Sequence, residues 1–272
     1  MVGGVVALGA CEPAPLITWA DMRSLASPIG EASVLVLGSD SGVALVNAPS
    51  VPPAAAGPVC AGSVRVASDG AHGAFAAWWV PREDSSVALV VSHRPSEDAV
   101  WGTPVMADAR DRGKGGCDRP APGISADASR GYVHLAYFLD APAGAGVYGG
   151  HSMENGTYFH DPVAIVYGER VVPASVATSG DIVAVAYEDP NSARARVAVA
   201  ISLTAGHLYE YRVEASPSTT RATDPRVAVN GRRVAVAWSA EEWEQGSQGS
   251  RAMMRIGTIR DDAKPAAGGN EQ

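Results

Sequence analysis

The hydrophobic pattern along the chain is one of short apolar runs cut by glycine turns. Four segments share one grammar: a strand, a Gly turn, then an apolar strand ending in Ala-aromatic. They are Gly73-Ala-Phe-Ala-Ala-Trp-Trp79, Gly131-Tyr-Val-His-Leu-Ala-Tyr-Phe138, Gly180-Asp-Ile-Val-Ala-Val-Ala-Tyr187 and Gly231-Arg-Arg-Val-Ala-Val-Ala-Trp238. Trp78, Tyr137, Tyr187 and Trp238 are then equivalent, spaced 59, 50 and 51 residues apart. The run before each turn recurs too: Val64-Arg-Val-Ala-Ser, Gly123-Ile-Ser-Ala-Asp, Ala174-Ser-Val-Ala-Thr and Pro225-Arg-Val-Ala-Val. A third run follows each Ala-aromatic strand, at Val87–Ser92, Val147–Ser152, Val197–Ser202 and Met253–Thr258. A repeat of this length, with several short strands per unit, is that of a four-stranded propeller blade.

The expectation is therefore an all-β chain folded as a β-propeller of four-stranded antiparallel blades. Ser33–Leu37 and Gly42–Val46 form a further hairpin, so five blades are favoured, with four or six as alternatives. The last repeat lacks a clear fourth strand, and an N-terminal strand is placed to close the ring and remove a free sheet edge. A two-sheet β-sandwich is the competing architecture. Trp19–Ala26 is the best, and short, helix candidate.

Composition narrows the class. Of 272 residues 46% are apolar, enough for a core, and Gly (30) and Pro (19) are scattered as turns rather than clustered. The net charge of −8 leaves no basic face for phosphates, so nucleic acid is excluded as a partner. Val2–Ala10 is apolar or glycine and ends in Leu8-Gly9-Ala10 before Cys11. This resembles a bacterial lipobox, which implies lipidation of Cys11, export, and anchoring at the periplasm or cell surface. It lacks the Lys or Arg that a secretory n-region carries, and a buried first strand is the alternative. The expected organisation is residues 1–11 as signal, 12–30 as tether and lead-in, 31–260 as one propeller domain and 261–272 as a disordered tail. Cys60 and Cys117 make a pair that an exported protein would oxidise to a disulfide; two separate buried thiols are the alternative.

The most specific signal follows the third strand of two repeats. Ser152-Met-Glu-Asn-Gly-Thr-Tyr-Phe159 and Ser202-Leu-Thr-Ala-Gly-His-Leu-Tyr209 fit the pattern Ser-x-Asp-x-Gly-x-x-aromatic, with Glu154 and Thr204 in the Asp place. Ser92–Trp101 is a stretched version. From about Ser63 to Ile259 the chain resembles the sialidase-like, BNR/Asp-box propeller families. The resemblance implies a structural role for Ser152, Glu154, Gly156, Phe159, Ser202, Gly206 and Tyr209: small polar side chains hold the turn, Gly supplies positive φ and the aromatic packs between strands. The two substitutions in the Asp place predict turns less tightly pinned.

These turns join third to fourth strands, and the resemblance implies that the ligand face is the opposite one, where blades connect and second strands turn into third. That face takes Asp118, Arg119, Arg170 and Asp224 from the blade-to-blade loops. It takes Trp79, Arg82, Glu83, Asp84, Asp140, Glu188, Asp189, Glu241, Glu242 and Trp243 from the others. Carboxylates and aromatics there can bind sugars or cationic groups, and clustered carboxylates can hold Ca²⁺; a solvated rim is the bland alternative. Otherwise no metal and no cofactor is expected. The sialidase resemblance implies a Phe/Tyr-Arg-Ile-Pro segment and three arginines on the substrate carboxylate, and the sequence has neither the segment nor an obvious triad. His134 is expected in the core, His151 and His160 at the surface. The functional expectation is a non-catalytic module binding a glycan or protein at the cell envelope. A divergent glycoside hydrolase and an extrinsic subunit of a membrane-associated complex are the alternatives.

Overall fold

A computed structural model of the protein describes residues 14–40, 42–48, 58–244 and 247–264, with 242–244 and 247–248 described by backbone alone. The proposed lipidation site Cys11, the side chains of Glu242 and Trp243, and 265–272 lie outside the described residues.

The chain is a five-bladed β-propeller. The first blade comprises β5 (Arg65–Ser68), β6 (Ala74–Pro81), β7 (Val87–Arg94) and β8 (Val105–Asp108). The second comprises β9 (Gly123–Asp127), β10 (Tyr132–Ala141), β11 (Gly144–Ser152) and β12 (Val163–Tyr167). The third comprises β13 (Ala174–Ser179), β14 (Ile182–Glu188), β15 (Val197–Ser202) and β16 (Tyr211–Glu214). The fourth joins β17 (Ala222–Asn230), β18 (Arg233–Glu244) and β19 (Ser247–Ile259) to β1 (Ile17–Trp19), with β2 (Arg23–Ser24) also on β19. The fifth is the hairpin of β3 (Ser33–Leu37) and β4 (Val43–Asn47). Every pairing is antiparallel, and β5 packs on β9, β9 on β13, β13 on β17 and β17 on β3, forming the inner ring.

The middle strands are buried on both faces because each blade is covered by two neighbours. In β14 the side chains alternate between them. Val183, Val185 and Tyr187 pack with Ala136, Phe138 and Val147 of the second blade, while Ala184 and Ala186 pack with Val227, Val234 and Trp238 of the fourth. Alanine on one side lets neighbouring sheets approach closely, and the aromatic fills the wider outer gap. Tyr137, Tyr187 and Trp238 each enter the interface with the preceding blade, and Trp78 faces the same way from the first blade. The four aromatics are equivalent, as the repeat predicts, and two facing sheets of a sandwich are absent from the described residues.

No helix forms at Trp19–Ala26. Ile17 pairs with Ile259 and Trp19 with Gly257, so β1 is the outer strand of the fourth blade. A free edge of β19 offers backbone partners and a pocket for the fully buried Ile17, and this outweighs the weak helical pattern.

The serine–glycine turns are held by their own side chains. Ser152 Oγ accepts the N–H of Gly156 at 3.1 Å, and Ser202 Oγ accepts that of Gly206 at 3.0 Å. Asn155, Gly156, Ala205 and Gly206 all have positive φ. Thr204 does pin its turn, accepting the Leu208 N–H at 3.1 Å, whereas Glu154 is exposed.

Candidate functional site

The first residues of the inner strands converge at the ring axis, on the face opposite those turns. They line a cleft of about 520 Å³ to which all five blades contribute. Arg65, Gly123, Ser175 and Arg226 occupy the same place in successive inner strands, opposite Ala77, Ala136, Ala186 and Ala237, and all four line it together with Glu31, Asp224 and Arg119. A second cavity of about 470 Å³ lies outward between the second blade and its neighbours, lined by Lys114, Asp118, Arg119, Asp140 and Glu169 among others. Arg119 borders both.

The arginines of this face are largely engaged by the protein itself. Arg226 Nε donates to the Ser33 carbonyl at 2.7 Å and its Nη2 to that of Gly30 at 2.8 Å, stitching the fourth blade to the hairpin. Arg65 Nη1 donates to the Gly62 and Val64 carbonyls, both at 2.9 Å. Burial lowers the pKa of both guanidiniums, opposed by the nearby Glu31 carboxylate. Arg119 forms a buried ion pair with Asp111 at 3.0 Å and lies over the Trp79 ring at 5.5 Å. Arg170 donates to the Asp189 carbonyl.

The carboxylates sort into two groups. Asp224 stands at the axial cleft with φ of 54°, beside a register shift in β17. Its N–H donates to Glu188 Oε1 at 3.1 Å. Glu188 is nearly buried, and burial raises its pKa, with the Asp224 charge adding to the rise and the Asp224 N–H, Arg170 and Arg221 opposing it. Asp118 and Asp140 are exposed on the second cavity.

Several expected ligand residues serve other ends. Trp79 is fully buried and donates Nε1–H to the Pro120 carbonyl at 2.9 Å, because it plugs the interface beneath the loop rather than facing solvent. Asp189 is also buried. Burial alone would raise its pKa, but the Asn191 N–H, Ser192 Oγ and Arg212, at 2.8 Å, hold it below the usual carboxylate range. Arg82 donates to the Ala109 carbonyl at 2.8 Å, and Glu241 pairs with Arg221 at 3.3 Å; neither lines either of these two cavities. Glu83 and Asp84 are exposed at the first blade's rim, where Asp84 accepts the Ser86 hydroxyl. Arg65, Arg226 and Glu31 were not among the expected residues. The repeat carries the signal for the arginines, since both stand opposite the alanine that precedes the recurring aromatic, Ala77 and Ala237.

Cys60 and Cys117 are joined by a disulfide, with Cα atoms 5.1 Å apart. It ties the loops leading into the first and second blades and sits two residues from Arg119. Among the described residues no three His, Cys, Asp or Glu side chains are placed to hold a metal ion, and no helix is long and apolar enough to cross a membrane.

No family model matches the chain, and no curated protein does. Solved structures similar to it include a Hadza microbial sialidase, with 11% identity and TM-score 0.46 over 69% of this chain and 45% of that one. A xylan beta-1,4-xylosidase from Bacillus halodurans C-125 gives 9% identity and TM-score 0.46 over 82% and 52%. A subtype N11 neuraminidase-like protein of A/flat-faced bat/Peru gives 9% and 0.48 over 84% and 70%. The chain spans about half the length of the first two. The fold rests on the strand pairing above, not on these likenesses.

Proposed function

We propose that the protein is an exported binding module, lipid-anchored through Cys11, that takes a glycan in the axial cleft and does not turn it over. The observation that carries this reading is the cleft itself. One opening of about 520 Å³ is lined by all five blades, with a guanidinium at Arg65 and carboxylate acceptors at Glu31 and Asp224. Sugar hydroxyls need donors and acceptors at close quarters, and a concave site supplies them with partial exclusion of water. A non-catalytic role is favoured because Arg119, Arg170 and Arg226 are engaged with backbone carbonyls or Asp111. A bidentate clamp on a substrate carboxylate needs free forks. A glycan array probed with the purified protein tests it. Binding lost on Asp224→Ala, with unchanged melting, supports the cleft; binding that survives both Asp224→Ala and Arg65→Ala overturns it.

One observation favours a second reading, a divergent glycoside hydrolase. Glu188 and Asp224 are adjacent carboxylates in different surroundings, and burial favours the protonated form of Glu188. Paired carboxylates are the chemistry of glycoside hydrolysis. Release of reducing ends from a bound glycan, abolished by Glu188→Gln, would establish it.

A further inference from the structure

The expected surface position of His151 is wrong. Its side chain is buried, 3% exposed, at the seam of the second and third blades on the face away from the cleft. Neither ring nitrogen has a hydrogen-bond partner. Three more imidazoles surround it: His160 stacks on it at 4.7 Å, His207 meets it edge-on at 4.5 Å, and His134 lies 6.4 Å away. His134, 1% exposed, reaches the Ala205 carbonyl through Nε2 at 3.0 Å, and its Nδ1 is unpartnered. Ala205 has φ of 52° and precedes Gly206, where a Cβ would lie 3.0 Å from the His134 ring. The turn of the third blade is thus seated directly on two buried imidazoles.

The preceding seam is built differently at the same place. There Phe75 holds the position of His134, pairing across its sheet with His93 as His134 pairs with His151. The second blade's Gly156 packs on Phe75, and His93 has Asp69 at 3.9 Å. Among the described residues no carboxylate acts on His151: its charged or titratable neighbours are His134, His160 and His207. His134 has Asp127, His207 and Tyr132 around it.

We propose that the buried pair His134–His151 at the heart of this cluster is an acid-released latch, holding the turn at 203–209 on the second blade while both rings are neutral and freeing it when they take protons. The sign follows from where the protons are accepted. Burial, reinforced by His207, His134 and His160, pushes the pKa of His151 down to about 3. Burial pushes that of His134 down to about 4, against the Ala205 carbonyl and Asp127. A ring in water titrates near ~6.5. Above that pH the seated cluster loses nothing. As pH falls below it, the released rings bind protons that the seated rings refuse, so the closed seam weakens down to the folded pKa values. Each ring protonated only on release favours opening by about thirtyfold between pH 8 and pH 5.

Hydrogen exchange of the full chain, read per residue and corrected for the intrinsic pH dependence of exchange, tests this. Amides of 203–209 should lose protection by roughly thirtyfold or more between pH 8 and pH 5. Those around Phe75 and Gly156 should change far less. His151→Leu should cut the acid response of 203–209 by an order of magnitude. Should that variant not fold, nitrogen NMR of the wild-type imidazoles decides: His151 must be neutral at pH 5 wherever the turn is protected. An unchanged turn at pH 5, a full response in His151→Leu, or a charged His151 in a protected turn overturns the proposal.

Discussion

Arg226 reaches the carbonyl of Ser33 on the neighbouring hairpin at 2.7 Å, and these two residues are 193 positions apart in sequence. The same guanidinium also engages the carbonyls of Gly30, Glu31 and Pro225. A two-stranded hairpin is marginal in water, so this fork is a large part of what keeps the fifth blade in place. Leu35 and Leu37 on Ala228, Ala235 and Met254 add apolar packing, and Asn230 and Arg233 donate to the Leu37 and Gly38 carbonyls. Arg226→Ala should destabilise the protein by about 3 kcal/mol, since charge-assisted bonds are lost and carbonyls are left half-buried. Arg226→Lys should recover less than half, because an ammonium cannot match a planar fork. Urea denaturation of the three proteins checks both.

Glu188→Gln should keep the Asp224 N–H bond, since the amide oxygen can accept it, and should remove a charge that burial disfavours. A raised carboxyl pKa costs stability above the unfolded pKa of about 4.5 and costs nothing below it. The variant should therefore melt higher than wild type at pH 7 and equally at pH 4. Paired calorimetric scans at the two pH values would show it; equal melting at pH 7 would count against the burial.

Reduction of the Cys60–Cys117 disulfide reopens a segment spanning 57 positions. Loop-closure entropy gives roughly 4 kcal/mol for such a segment, which for a domain of this size lowers the melting temperature by about 10 °C. Exchange should rise first in 113–119, which the bridge ties down. Free-thiol labelling of the oxidised protein should find neither residue reactive.

Gly257 lies under β1. A Cβ there would come 2.3 Å from Ile17 Cγ2 and 2.7 Å from the Trp19 ring. Gly257→Ala should cost about 1–3 kcal/mol through overpacking and should expose the β1 amides to exchange before those of β17. Loss spread evenly over the fourth blade would contradict a local clash.

The blades were legible in the sequence because each carries the same instruction, an Ala/Val strand ending in an aromatic. Tyr137 and Tyr187 could be aligned from spacing alone. The role of Ile17 was not legible, since a three-residue strand has too few positions to show a period and its partner lies at the other end of the chain. The site was legible as a face but not residue by residue. Loop carboxylates look alike in sequence, whether they serve a turn, as Asp189 does, or stand at the cleft, as Asp224 does. Trp79 misled because an aromatic next to a loop reads as exposed, while here the loop folds over it. Arg65 and Arg226 stand within the repeat, but a charged residue inside a strand carries no sign in the sequence that it faces the axis.

The seating of β1 beside β19 also orders events in time. Arg260 donates to the Ala14 carbonyl across 246 positions, so the fourth blade can be finished only after the last strand has left the ribosome. Until then Ile17 and Trp19 wait without their groove, while the three blades between can already stack. Pairings this distant in sequence are slow to find, and the unfinished ring presents apolar edges that other nascent chains can capture. The protein's yield in a cell should accordingly depend on how long that first strand is kept from the wrong partner.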